Sequence, residues 1–255
     1  MRKFSISIAS LLIALLAAAS GTTCAAESPQ PQARNVVLVH GAWADGSSWN
    51  EVIPLLQGAG LNVVSVQNPL TSLSDDVAAT RRALDPLEGP TVLVGHSYAG
   101  TVVSEVGGDP RVTGLVYLAA RAPDAGEDFV ELAKRFPTMP VRAGVVTRDG
   151  FSTLREDAFL AHFADGLPAA KAKALFAVQQ PVAADLFAGR TTVAAWRSKP
   201  SWYAVSTADN TTSPDLQRFL AKRMGANVVE LESGHLSLLT RPQEVARLIL
   251  AAAGR

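Results

Sequence analysis

Short, almost unbroken Val/Leu runs alternate along this chain with longer stretches of helical periodicity. The runs Asn35–His40, Asn62–Val66, Thr91–Val94 and Gly114–Leu118 lack the in/out alternation of a strand with one wet face, so they read as strands buried on both sides. Between them, Ser48–Ala59, Ser74–Leu84 and Tyr98–Val106 carry helical spacing. Parallel neighbours need crossovers, and strands apolar on both faces need cover on both. The order therefore predicts an α/β fold, a mostly parallel sheet with helices on both faces. The pattern resumes at Trp202–Ser206 and Asn227–Leu231, each followed by a helix, Pro214–Met224 and Pro242–Ala253. The count comes to about six strands.

From about 121 to 198 the alternation lapses, and this stretch holds seven of the nine phenylalanines. Helical spacing near 128–136, 154–163 and 168–179 predicts a helical cap inserted between the strands near 114–119 and 202–206. A structureless loop of that length is improbable in a compact domain.

At the amino terminus Arg2 and Lys3 precede the apolar run Leu11–Ala19, and small residues follow through Ala26. This is the pattern of a secretory signal peptide over residues 1–26, with an apolar core too short for a stable membrane span. Its removal predicts a periplasmic or secreted protein consisting of a single domain, 27–255. Cleavage takes away Cys24, the one cysteine, so neither a disulfide nor a thiol nucleophile is expected. It also takes two of the 23 basic residues and none of the 23 acidic ones, leaving a formal charge of −2 with no basic run. Nucleic acid is not an expected partner.

Ligands of open parallel sheets bind beyond the carboxyl ends of the strands. Four segments stand there: His40-Gly41-Ala42-Trp43, Ser97, Asp209 and His235. Ser97 lies in Leu93-Val94-Gly95-His96-Ser97-Tyr98-Ala99-Gly100, a strand running through a small-residue turn into a helix. Such a corner crowds the backbone, demands small residues two before and two after the serine, and exposes its hydroxyl. A serine before a helix is commonly just a cap; the flanking Gly95 and Ala99 favour a nucleophile. A free hydroxyl is a weak nucleophile at neutral pH, so a base and an orienting acid are required. His235 is the histidine left for the base, because His40 and His96 sit inside turns and His162 in the cap. Asp209 is the candidate acid, with Asp124 as its rival and Asp215 assigned to the first turn of a helix. His40 is expected to bond neighbouring backbone. Trp43, Tyr98 and Trp196 are candidate pocket walls.

Nucleophile, acid and base in the order Ser97, Asp209, His235, together with His40-Gly41-Ala42 after the first strand, resemble the α/β-hydrolases. From Val36 to the C-terminus the chain is similar to their small esterase and hydroxynitrile-lyase branch. The resemblance implies an acyl-enzyme mechanism on Ser97 with backbone N–H groups of Ala42 and Tyr98 as the oxyanion hole. It further implies small to medium apolar carboxylic esters or lactones as substrates. Two departures bear on this. Ala99 stands where glycine is usual, and Leu236 stands where the lyases carry a lysine, which argues against cyanohydrin cleavage. A cofactor-free haloperoxidase or perhydrolase and a non-catalytic ligand-binding homologue are the alternatives. No cofactor or metal is expected, since no zinc, dinucleotide or P-loop pattern occurs. Oligomeric state is left open.

Overall fold

The computed structural model describes residue 1 and residues 32–255, so the signal-peptide reading of 1–26 falls, Met1 apart, outside the described residues. Strands β1 (Asn35–Val39), β2 (Asn62–Val66), β3 (Thr91–His96) and β4 (Val112–Leu118) alternate with helices α1 (Ile53–Gly58), α2 (Leu73–Leu84) and α3 (Ala99–Val106). An insertion then carries α4 (Phe129–Ala133), β5 (Val145–Arg148), β6 (Phe151–Leu154), α5 (Glu156–Ala158), α6 (Ala169–Ala177) and β7 (Val182–Ala183). The chain returns to the sheet with β8 (Ser201–Ser206), α7 (Pro214–Met224), β9 (Asn227–Leu231), α8 (Ser237–Thr240) and α9 (Pro242–Ala252).

The main sheet has six strands in the order β2-β1-β3-β4-β8-β9, and every neighbouring pair is parallel. Its inner strands match the apolar runs: every residue of β1, β3 and β8 is buried, whereas the edge strands β2 and β9 leave residues such as Asn62 and Val228 exposed. The chain steps from β1 outward to β2 on one side and returns to β3 on the other. That reversal opens a crevice beyond the carboxyl ends of β1 and β3.

Local chemistry sets the helix limits. Ser72 caps α2 by accepting the Asp75 N–H, with Asp75 and Asp76 in its first turn and Arg81 and Arg82 in its last, as the helix dipole favours. Helix α7 starts on Pro214 and stops at Gly225 in the left-handed region. The helix expected over Ser48–Ala59 is broken into a 3₁₀ turn at Gly46–Trp49 and α1. Pro54 has no N–H to continue a preceding helix and instead sits in the first turn of a new one.

The cap occupies the expected place but is not purely helical. Strands β5, β6 and β7 form an antiparallel sheet, β5 and β6 being joined by Asp149 and Gly150, both at positive φ, as a two-residue hairpin turn requires. The helix expected from Leu154 starts only at Glu156 and widens to a π-helical turn over Phe159–Phe163. Among the described residues no helix is long and apolar enough to cross a membrane.

One buried carboxylate stands out beneath the crevice. Asp76 on α2 is fully buried and accepts the N–H of Leu70, a residue at φ 57°. Burial pushes its carboxyl up to about 6, against the opposing pull of the Leu70 N–H. Between the unfolded carboxylate range and this value the folded chain holds a proton that the unfolded chain releases, so the group's contribution to stability falls as pH rises. Asp76→Asn keeps an acceptor for Leu70 and removes that slope. Its stability relative to the wild type should therefore rise by roughly 2 to 3 kcal/mol from pH 4 to pH 7 in urea unfolding. A difference that stays flat or shrinks would contradict this assignment.

Candidate active site

Ser97 sits at the tip of β3 with φ 56°, in the left-handed region that costs a non-glycine residue about 1 kcal/mol or more. Three backbone hydrogen bonds hold it there. Its N–H donates to Leu118 O at 3.0 Å, and its carbonyl accepts from Gly100 N at 3.2 Å and Arg121 N at 3.0 Å. The corner has no spare room, because a Cβ on Gly95 would come within 2.7 Å of Val103 and 2.9 Å of Ala99 O. Ala99, the departure from glycine, is accommodated fully buried at the start of α3.

The turn after β1 presses against this corner. A Cβ on Gly41 would lie 2.8 Å from Ser97 Cβ and 3.0 Å from His96 Nδ1. His40 bonds the surrounding main chain, as expected: Nδ1 pairs with Gly41 O at 2.9 Å and Nε2 accepts the Asn68 N–H at 3.0 Å. Burial lowers its pKa, which keeps the ring neutral. The N–H groups of Ala42 and Tyr98 donate to no acceptor among the described residues. Both residues line the same cavity as Ser97.

Asp209 and His235 arrive from the loops after β8 and β9 and meet in the interior. His235 Nδ1 lies 2.8 Å from Asp209 Oδ2, with both side chains buried. Asp209 Oδ1 accepts the N–H groups of Thr211 at 2.7 Å and Thr212 at 2.9 Å, and Oδ2 also accepts from Gln217 Nε2 at 2.8 Å. His235 is flanked by the rings of His96 at 4.6 Å and Phe163 at 5.3 Å, and its carbonyl accepts from His96 Nε2 at 3.0 Å. Burial and the proximity of His235 drive the His96 pKa well down, so His96 stays neutral. His235 Nε2 is buried and has no hydrogen-bond partner among the described residues.

The rival acid is committed elsewhere. Asp124 is paired with Arg197, whose guanidinium holds its carboxyl down to about 2. Asp215 stands exposed in the first turn of α7, as expected. Trp43 and Tyr98 do line the cavity, which encloses about 410 Å³, within the ~300–1,000 Å³ range of small-molecule sites. Trp196 does not. Its indole is buried against Pro123, donating to that carbonyl at 2.8 Å, and is held between Arg197 and Arg223. Of the cap phenylalanines, Phe129 and Phe187 face the cavity, while Phe159 and Phe163 are core and Phe151 is exposed.

Three site residues escaped the sequence reading. Gln217, fully buried on α7, accepts the Ser206 N–H and donates to Asp209, tying β8 to the carboxylate. Its spacing from Asp209, one helical turn past Pro214, was the available signal. Asp165 of the cap packs on Gly234, where a Cβ would come within 2.4 Å of it, and bonds Asn210; burial and the Asp209 charge raise its pKa. Arg121, in the loop after β4, lines the cavity.

Known proteins share this arrangement of elements. The chain is similar to the alpha/beta hydrolase nvfD of Aspergillus novofumigatus (strain IBT 16806), 28% identical over 245 residues that cover 86% of this chain and 96% of the relative. A shorter match, 30% identical over 112 residues, covers 38% of this chain and 46% of a carbendazim hydrolyzing esterase from Nocardioides sp. (strain SG-4G). Among solved structures, polyneuridine aldehyde esterase superposes with a TM-score of 0.73 at 18% identity, over 86% of this chain and 99% of that one. Residues 36–248 match the family described as alpha/beta hydrolase, and the chain belongs to it as a hydrolase with esterases among its relatives.

Proposed function

We propose that the protein is a serine esterase that cleaves small to medium carboxylic esters or lactones through an acyl-enzyme on Ser97. The observation that carries this reading is the buried 2.8 Å bond between His235 Nδ1 and Asp209 Oδ2. It leaves Nε2 as the ring's free nitrogen, on a ring that lies 4.6 Å from that of His96 in the elbow whose Ser97 lines the cavity. In this mechanism Nε2 takes the Ser97 proton as Oγ attacks the acyl carbonyl, and the imidazolium is stabilised by Asp209. The tetrahedral oxyanion is received by the Ala42 and Tyr98 N–H groups, which have no other acceptor among the described residues. His235 returns the proton to the leaving alcohol, and water repeats the sequence to release the acid. The esterase descriptions of relatives support ester cleavage as the reaction.

Purified protein should hydrolyse p-nitrophenyl acetate or butyrate. Ser97→Ala should lower kcat by about 10³-fold or more, and Asp209→Asn by about 10⁴-fold because the imidazole loses its required tautomer. Equal rates in wild type and Ser97→Ala would refute the proposal.

Gln217 acts through Asp209, as a positioning residue. Gln217→Leu leaves the Ser206 N–H without its acceptor and Asp209 without one donor. Loss of buried bonds of this kind costs about 1–3 kcal/mol of stability. Chemistry should suffer as well: kcat for p-nitrophenyl butyrate should drop about tenfold, one lost orienting bond, with KM little changed. A lowered melting temperature with kcat intact would make Gln217 structural only.

A further inference from the structure

We propose that the cavity above Ser97 takes esters or lactones that carry a second, anionic group, a carboxylate, and that Arg121 is the residue that binds it. This rests on the reading of Ser97 as the nucleophile and adds the charge of the substrate to it.

The cavity lining is apolar and aromatic, yet among the described residues it includes three cations, Arg121, Arg142 and Lys134, and no Asp or Glu. Lys134 has a partner, Glu131, at 2.5 Å on the exposed surface. Arg121 has none. Among the described residues, the charged or ionisable groups that act on it are Arg142, of like sign, and the Tyr98 phenol. Its Nη1 donates to Phe187 O at 3.1 Å, and Nε and Nη2 donate to no acceptor among the described residues.

The guanidinium is also held in place. It lies 4.9 Å from the Phe129 ring centroid and 4.8 Å from that of Phe187, while the Arg121 N–H bonds the Ser97 carbonyl at 3.0 Å. Phe187 in turn packs on Tyr98 at 5.9 Å and Trp43 at 5.5 Å. The cation is thus fixed on the same few residues that frame the nucleophile, before any substrate arrives. Burial and the Arg142 charge push Arg121 down to about 10, so it remains protonated at neutral pH. A planar fork with free donors in a site of low polarity matches a carboxylate.

Monoethyl glutarate and ethyl pentanoate present the same ester on chains that differ in a terminal carboxylate or methyl. The ratio of kcat/KM for the two should favour the anionic ester by about 10- to 100-fold in wild type, mainly through KM, and fall at least tenfold in Arg121→Met. Arg121→Lys should recover part of the ratio. Arg148→Met removes an exposed charge at the β5–β6 hairpin and should leave it unchanged. A purely structural Arg121 would depress both esters together and leave the ratio intact, which overturns the proposal. So would a wild type that prefers ethyl pentanoate.

Should neither ester be turned over, binding decides the charge proposal, while Ser97-dependent turnover of p-nitrophenyl butyrate still decides the esterase reading. Calorimetry on Ser97→Ala should give tighter binding of monoethyl glutarate than of ethyl pentanoate, and Arg121→Met added to it should abolish the difference. Equal affinities would overturn the proposal.

Discussion

The turn after β1 lies so close to the Ser97 corner that one methyl group at position 41 would stand 2.8 Å from Ser97 Cβ. The rest of the site depends on that approach. Parallel sheets bring successive strand ends to one edge, but only at the reversal between β1 and β3 do two loops diverge and leave a crevice. The missing side chain at Gly41 lets the turn that carries Ala42 come this close to Ser97, and Ala42, Ser97 and Tyr98 line one cavity. The left-handed Ser97 is retained because Leu118, Gly100 and Arg121 bond its main chain, so the strain is outweighed locally.

Charge is distributed unevenly around this point. On the interior side the Asp209 carboxylate is saturated by Thr211, Thr212, Gln217 and His235. A carboxylate with four donors is held in one orientation and fixes the imidazole plane through one of them. On the cavity side no carboxylate stands among the described residues that line it, and Arg121 lies between two aromatic rings. A negative charge is thus confined behind His235, while the chamber that Ser97 lines has a positive wall.

The inner strands were legible because strands buried on both faces must be largely apolar, while β2 and β9, partly exposed at the sheet edges, were bounded to the residue by their valine runs. Helix α7 was equally clear from Pro214 and Gly225. The order Ser97, Asp209, His235 could be read because each follows a strand. The cap was less legible. Its hairpin signature, Val145-Val146-Thr147-Arg148 and Phe151-Ser152-Thr153-Leu154 around Asp149-Gly150, was overshadowed by the helical spacing on either side. Trp196 illustrates a deeper limit. Composition marks a tryptophan as a candidate wall, but its contact with Pro123 is set by tertiary packing. Gln217 and Arg121 belong with it, since a buried amide or an unpaired guanidinium is defined by neighbours that lie far along the chain.

The central claim, that Ser97 is a nucleophile activated by His235, is tested most directly by covalent labelling. A fluorophosphonate probe followed by peptide mass spectrometry should give one adduct, on the peptide containing Ser97. His235→Ala should slow its formation by orders of magnitude while the protein remains folded. An adduct on another residue, no adduct at all, or a labelling rate indifferent to His235→Ala would contradict the account.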